Sequence, residues 1–269
     1  MKSKRHCLFV ALGLMSLIVI QPTAFGADTA DLAKASQNPV ADMINLPFQN
    51  NTNFDVGGTS SAQNVLNIQP VYPFKLNEDW NMISRTILPV ISQPGVLTGD
   101  GRKNGLGDIN ATLFFSPVDS GKWIWGAGPV VSLPTATQGS LGTRKWSAGP
   151  ALVVLTIRGP WVMGGLINNL WSFAGDSDRP EVNQMTLQPF VNYNFSGGWY
   201  LSSSPIITAN WSADSSNTWT IPLGLGGGRV FRIGKQPMNM QLHYYNNIEK
   251  PTLGAEWTLR FQFQFLFPK

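Results

Sequence analysis

Few side chains in this sequence have the types and spacing that catalysis requires. The chain has two histidines and one cysteine, and of these only His243 lies beyond the apolar N-terminal stretch. A zinc site would need further histidine or cysteine ligands, and a hydrolytic triad would need a serine and a carboxylate beside His243. The spacing indicates neither arrangement. We therefore expect no catalytic residue, no metal site and no cofactor.

Polar side chains recur instead at alternate positions of apolar segments. In the segment 184–195, amides alternate with Met185, Leu187, Val191 and Tyr193, and Phe190 is an apolar exception on the amide side. Such polar faces would line a wet interior. The predicted lining residues are Asp108, Asn110, Gln188, Asn192, His243, Glu256, Arg260, Gln262 and Gln264. Two interpretations stay open, a path for small solutes and a packed polar network without transport.

The last segment shows most clearly which element would position these residues. Leu259, Phe261, Phe263 and Phe265 alternate with Arg260 and a run of amides. Successive side chains of a strand point to opposite faces, so a greasy face backed by polar groups separates lipid from a wetter interior. A strand buried in a soluble sandwich is the alternative for this segment alone.

The same period of two recurs along the chain. It divides residues 45–269 into about twelve segments, near 45–56, 62–76, 80–93, 107–117, 122–135, 144–157, 161–173, 184–195, 199–211, 218–230, 237–246 and 253–267. Short turns alternate with longer polar loops, and the ten tryptophans fall near segment ends, as aromatic girdles require. These features predict an all-β fold, an antiparallel transmembrane β-barrel of about 12 strands.

Two features of the segments are less regular. Segments 80–93 and 161–173 do not reveal which of their faces points inward. Prolines also fall inside predicted strands, where each removes a ladder hydrogen bond. They are Pro70, Pro89, Pro129, Pro150, Pro189, Pro205 and Pro222. We expect some of them to mark bulges or kinks, especially Pro129 and Pro150 beside glycines.

The N-terminus carries targeting information and a short helix. Residues 1–26 combine basic residues, an apolar run and a small-residue site at 24–26, which is typical of a secretory signal peptide. The run is shorter than the roughly 20 residues of a spanning helix. The apolar pattern of residues 27–44 predicts a short helical segment that is interrupted at Asn38-Pro39. It would plug the lumen or lie beneath the barrel, and a mobile leader is the alternative.

The charge balance excludes nucleic acid as a partner. The chain has 19 basic and 15 acidic residues, but Lys2, Lys4 and Arg5 belong to the predicted signal. The rest of the chain is close to neutral and has no basic run that could neutralise phosphates. The single cysteine, Cys7, also lies in the signal, so the mature chain would form no disulfide.

Several motifs resemble the family called the MetA-pathway of phenol degradation, whose members are often labelled transporters or, misleadingly, neuromedin U. The similar stretches are QNPVA at 37–41, NLPFQNN at 45–51, DWN at 79–81, SRTI at 84–87, PV at 89–90, GLGD at 105–108, FFSP at 114–117, WGAGP at 125–129 and LPTAT at 133–137. The resemblance implies a Gram-negative outer-membrane barrel involved in uptake of aromatic or other hydrophobic compounds. It supplies no catalytic residues.

The leading hypothesis is an outer-membrane channel for passive uptake of small solutes, and not an enzyme. Its expected partners are outer-membrane lipid, a small-molecule solute and the barrel-assembly machinery, which would read the C-terminal strand. Two alternatives stay open. One is a structural or adhesive barrel without transport, and the other is a membrane-embedded lipid-modifying enzyme that uses His243.

Overall fold

The alternation of side chains produces fifteen hydrogen-bonded strands in the computed structural model, which describes residues 29–268. Strands make up 63% of the described residues. Their bounds are β1 (Met43–Phe54), β2 (Gln63–Ile68), β3 (Val71–Lys75), β4 (Trp80–Gln93), β5 (Lys103–Leu106), β6 (Ile109–Pro117), β7 (Ile124–Leu133), β8 (Lys145–Arg158), β9 (Trp161–Gly175), β10 (Asn183–Asn194), β11 (Trp199–Ser203), β12 (Ile207–Asn210), β13 (Trp219–Ile233), β14 (Gln236–Glu249) and β15 (Trp257–Pro268).

These strands form a closed antiparallel barrel. In three places two consecutive short strands together form one barrel strand, namely β2 with β3, β5 with β6 and β11 with β12. The chain therefore passes from one end of the barrel to the other twelve times. The first strand pairs with the last along its whole length, from Met43 opposite Pro268 to Phe54 opposite Trp257. Closure leaves no sheet edge exposed, which is the condition for a sheet in hydrocarbon. The predicted 12-strand barrel is confirmed.

The two faces of the wall differ as the alternation predicts. In β15, Leu259 and Phe261 are exposed on the outside, whereas Arg260 and Gln264 are buried inside. In β10, Val191 is exposed and Asn192 is buried, and Phe190 points inward with the amides. The outer surface is therefore apolar along these strands, and a bilayer can solvate it without unsatisfied polar groups.

Strands β4 and β9, whose inward faces the sequence did not reveal, line an apolar part of the interior. Ile83 of β4 and Val162 of β9 are fully buried on the inner face, and Leu166 of β9 is nearly so. They belong to an inner cluster formed by Val40, Val71, Ile83, Phe114, Val130, Ala151, Val153, Leu155, Val162, Leu166 and Phe190. Because lipid and this cluster both favour apolar side chains, both faces of these strands read as apolar.

Several strand prolines coincide with interruptions of the hydrogen-bond ladder. Pro70 lies between β2 and β3, and Pro205 lies between β11 and β12. Pro222 follows a register shift in the pairing of β13 with β14. Pro129 and Pro150 lie opposite each other in β7 and β8. An interrupted ladder has fewer amide hydrogen bonds for proline to remove, so the cost of these residues is reduced.

Tryptophans mark the two rims of the barrel. At the end with short turns, the guanidinium carbons of Arg158 and Arg229 lie 5.9 and 4.9 Å from the ring centroids of Trp123 and Trp199. At the end with long loops, the rings of Trp211 and Trp219 pack edge to face. Indole rings favour the headgroup region, so the two rims indicate where the bilayer ends.

The N-terminal helix α1, Thr29–Ser36, lies against the inner wall near the short-turn end. Its Leu32 and Ala33 are buried against Tyr200, Val230 and Leu266, which all lie on inner faces. A second helix of one turn, α2 (Gly95–Thr98), lies in a long loop. The predicted short N-terminal helix is confirmed, and the predicted signal peptide lies outside the described residues. Within residues 29–268, no helix has the length and hydropathy to cross a bilayer.

Candidate functional site

A cavity of about 150 Å³ lies inside the barrel. Polar side chains form most of its wall, mainly amides from β1, β10, β14 and β15 together with Gln69, and Val71, Leu166 and Phe190 are its apolar members. These three residues belong to the inner apolar cluster, which packs along the inner faces of β3 to β10.

The amides of the cavity wall are held in a hydrogen-bond network. The Tyr200 hydroxyl donates to Asn239 Oδ1 over 2.7 Å, and Asn239 Nδ2 donates to Gln264 Oε1 over 3.3 Å. Gln262 Nε2 donates to the same Gln264 oxygen over 3.3 Å. Because both Asn239 and Gln264 are buried, these bonds offset part of the cost of placing amides inside the barrel. The network also orients the remaining donors and acceptors toward the cavity.

Five of the nine residues expected to line the lumen border this cavity. They are Gln188, Asn192, Arg260, Gln262 and Gln264. They come from β10 and β15, the two segments whose alternation is clearest in the sequence. Asn192 Nδ2 also donates to the carbonyl of Val162, which ties its side chain to the neighbouring strand.

Asp108 is buried on the inner face, but its carboxylate holds a loop and does not border the cavity. Oδ2 accepts hydrogen bonds from the backbone N–H of Thr143 at 2.6 Å and from the Thr143 hydroxyl at 2.8 Å. Oδ1 accepts from the N–H of Ala136 at 3.1 Å. Asn110, on the same face of β6, donates to the Asp108 carbonyl. The Asp108 carboxylate therefore holds the loop 134–144, which joins β7 to β8, and Asn110 does not border the cavity.

Further contacts fix this loop at the long-loop end of the barrel. Arg179 Nη2 donates to the carbonyls of Gly139 and Gly142, each over 2.9 Å. Gln93 donates to the carbonyl of Ser140. Gln93 also accepts from Gln63, at one end of a set of inner-face amides. Leu141 is buried, so the loop lies against the inside of the wall and narrows the mouth.

His243 lies on the inner face of β14, opposite Gly226 of β13 and Arg260 of β15. Its side chain is 1% exposed, and its ring stacks on Tyr245 with 5.7 Å between centroids. Within residues 29–268, neither ring nitrogen has a hydrogen-bond partner. A general base needs a nucleophile within hydrogen-bond reach, and the surroundings of His243 do not provide one.

Glu256 lies just before β15, at the rim with the long loops. Its Oε1 accepts from Lys250 Nζ at 3.0 Å, and the side chain is partly exposed. It does not border the cavity. In the described part of the chain, no three His, Cys, Asp or Glu side chains form a group that could hold a metal ion.

The N-terminal segment borders the cavity near the short-turn end. Residues 36–39 form part of the cavity wall. The side-chain amides of Gln37 and Asn194 exchange two hydrogen bonds of 2.9 and 3.0 Å, and Val40 packs into the inner apolar cluster. The cavity thus lies between this segment and the inner wall of the barrel.

Sequence reasoning missed two sets of site residues. The first comprises Arg85 and Gln69 of the cavity wall. Arg85 lies in β4, whose phase could not be read, although a lone arginine in an apolar segment was itself a signal for the inner face. The second comprises the loop anchors Gln93 and Arg179. Arg179 lies in a polar loop with no local signal that it reaches across to another loop.

Comparison with known proteins supports the fold. No protein-family model matches the sequence, and neither does any curated protein. An outer membrane channel from Pseudomonas putida aligns with a TM-score of 0.63 at 18% identity, over 84% of this chain and 94% of that one. Its likeness shows a shared fold.

Two other solved structures are more distant. Outer membrane phospholipase A from Escherichia coli has a TM-score of 0.47 at 11% identity and covers 91% of this chain and 99% of its own. The CymD monoaromatic hydrocarbon channel has a TM-score of 0.46 at 10% identity and covers 91% and 93%. Both are too distant to support a functional comparison. The closed barrel and its apolar exterior place this chain in the bacterial outer membrane.

Proposed function

We propose that the barrel gives small solutes passive passage across the outer membrane. The observation that carries this proposal is the cavity inside the lumen, which is lined by amides and a few apolar side chains. A packed interior would leave no such space in a barrel of this size. A solute with one polar end and one apolar end could exchange its hydration shell for contacts with both kinds of side chain.

The size of the cavity limits the solute. A volume of about 150 Å³ is the scale that accommodates one benzene-sized ring in another protein's cavity. The amphipathic lining and this volume favour small aromatic or similarly compact molecules over sugars. This preference agrees with the role implied by the motifs that resemble the phenol-degradation family, to which we propose the chain belongs. Recognition of β15 by the barrel-assembly machinery stays a prediction.

Purified protein in liposomes would test the passage directly. We expect proteoliposomes to swell in isotonic small phenolics or amino acids faster than protein-free liposomes, and much less in disaccharides. Swelling no faster than that of protein-free liposomes with any solute would favour the structural or adhesive alternative. The same vesicles test the enzyme alternative, because phospholipid hydrolysis that disappears in His243→Ala would assign a catalytic role to that histidine.

A further inference from the structure

Two arginines border the cavity, and no carboxylate does. Arg85 of β4 and Arg260 of β15 both lie in its wall, whose remaining polar members in the described chain are amides, hydroxyls and backbone groups. No ion pair of residues 29–268 includes either arginine. Asp108, the aspartate that the sequence predicted to line the lumen, instead accepts hydrogen bonds from the loop 134–144.

Arg260 is the more deeply buried of the two, with an exposed fraction of 5%. Its Nε donates to Asn51 Oδ1 and its Nη1 donates to the Ser204 carbonyl, each over 2.9 Å. Its guanidinium carbon lies 4.8 Å from the ring centroid of Tyr245. All three partners are neutral, so they orient the guanidinium without cancelling its charge. A guanidinium has five N–H donors, and these contacts use two.

Arg85 is less buried than Arg260 and makes fewer hydrogen bonds. Its Nη2 donates to Gln69 Oε1 over 2.9 Å, and this acceptor is again neutral. Gln69 itself is buried and borders the cavity, so the bond points the guanidinium along the cavity wall. Several N–H groups of Arg85 remain for another acceptor.

Cationic groups inside a barrel are expensive unless they are hydrated or matched by an anion. A carboxylate beside each arginine would supply such a match, but this wall holds two arginines and no carboxylate. The positive potential of the cavity therefore favours an anion, and guanidinium groups bind carboxylates through charge-assisted and often bidentate hydrogen bonds. The apolar side chains of the cavity wall, Val71, Leu166 and Phe190, would contact the apolar part of the same molecule.

We propose that the cavity selects small organic anions, represented by aromatic carboxylates, which the positive charges of Arg85 and Arg260 in its wall attract. This inference rests on the proposed passage of solutes and names their chemical class. A path for neutral hydrocarbons would need only apolar side chains, so the two arginines distinguish this cavity from such a path.

Ion fluxes into proteoliposomes would test the selection. Benzenesulfonate is a suitable probe because it stays ionised and cannot leak through lipid as a neutral acid, and phenyltrimethylammonium is a cation of similar size. We expect the wild-type protein to pass the anion about tenfold faster than the cation, since the guanidinium groups attract the anion and repel the cation. Arg85→Gln and Arg260→Gln should each lower this ratio several-fold, and the double variant should bring it close to one.

Matched variants separate charge from fold. Arg85→Lys keeps the charge and should retain most of the preference. Arg158→Gln removes an arginine at the rim, where it contacts Trp123, and should leave the ratio unchanged. Heat-modifiable migration on gels reports whether each variant is a folded barrel. If Arg260→Gln does not fold, equilibrium binding of benzenesulfonate to the detergent-solubilised wild-type protein, against neutral benzenesulfonamide, tests the same preference.

The outcomes distinguish this inference from the proposed function. Vesicles that admit neutral solutes but pass both ions equally, or a folded double variant that keeps the wild-type ratio, would overturn the anion selection alone. Vesicles that exclude every solute would overturn the passage itself, and the selection with it.

Discussion

At the scale of single residues, Asp108 holds the loop 134–144 through hydrogen bonds that connect distant parts of the sequence. Its carboxylate accepts from Ala136 and Thr143, which lie 28 and 35 residues further along the chain. The sequence predicted that Asp108 lines the lumen, but it could not reveal these partners, because no local spacing links an aspartate to a loop so far away. The same holds for Arg179, which lies 40 residues from the carbonyl of Gly139.

Replacing this carboxylate should loosen the mouth. Asp108→Asn keeps the shape but removes the charge and puts an N–H₂ group where one oxygen accepts. We expect a loss of about 2 kcal/mol in stability, since hydrogen bonds to a charged group are weakened. The loop 134–144 should then move more, and liposome swelling should extend to larger solutes. Asp119→Asn, in an exposed short turn, is the matched control, and equal swelling of both variants would show that the loop does not limit passage.

An ion pair outside the membrane makes the same loop region sensitive to acid. Lys145, which follows the loop 134–144, donates to Glu181 Oε1 over 2.8 Å, and the Ser172 hydroxyl donates to the other carboxylate oxygen. The hydrogen bond from Lys145, then that from Ser172, lowers the pKa of Glu181 below its ordinary value of 4.5. Since the folded state favours the ionised carboxylate, this contribution is present above that value and is lost as the pH falls through the lowered pKa.

Single-channel recordings across this pH range would show the effect. We expect steady conductance near pH 6 and more frequent fluctuations as the pH falls below 4.5 and through the lowered pKa of Glu181. Glu181→Gln should show the fluctuating behaviour already near pH 6. A variant that stays as steady as the wild type at that pH would separate this ion pair from the gating of the mouth.

At the scale of elements, the N-terminal segment lies inside the lumen near the short-turn end. Helix α1 buries Leu32 and Ala33 against the inner wall, and residues 36–39 border the cavity. The sequence predicted a short helix here but left its place open, because a helix of eight residues carries too little pattern to indicate what it packs against. We propose that the segment acts as a plug.

Deleting residues 29–39 should therefore widen the path. The variant loses the burial of one leucine and one alanine, about 2–3 kcal/mol, which a closed barrel can tolerate. We expect faster swelling in small solutes and entry of larger ones. Asp31→Asn, on the exposed side of α1, should behave like the wild type. An unchanged rate in the folded deletion variant would show that the plug does not limit passage.

The strands illustrate why some elements were readable in the sequence and others were not. Strands β10 and β15 separate lipid from an amide wall, so their two faces differ in polarity. Strands β4 and β9 separate lipid from the inner apolar cluster, so their faces look alike. Period-two reasoning detects a difference between two environments, and it fails where the environments match.

At the scale of the whole molecule, the distribution of polarity inside the barrel decides the function. The number of passes followed from the sequence, because turns and tryptophans mark the ends of each pass. The filling of the lumen by the inner apolar cluster did not, since it depends on which strands become neighbours after closure. That filling leaves a cavity lined mainly by amides, where we propose that solutes cross.

Site-directed thiol labelling tests this path most directly. Cys7 is the only cysteine of the chain and lies in the predicted signal, so a new thiol would be the only target in the mature protein. Gln188→Cys places a thiol in the cavity wall, and Val191→Cys places one on the outer face of the same strand. We predict that a charged methanethiosulfonate reagent blocks solute flux through Gln188→Cys and leaves Val191→Cys unaffected. Flux through a fully labelled Gln188→Cys variant at the unlabelled rate would contradict a path through this cavity.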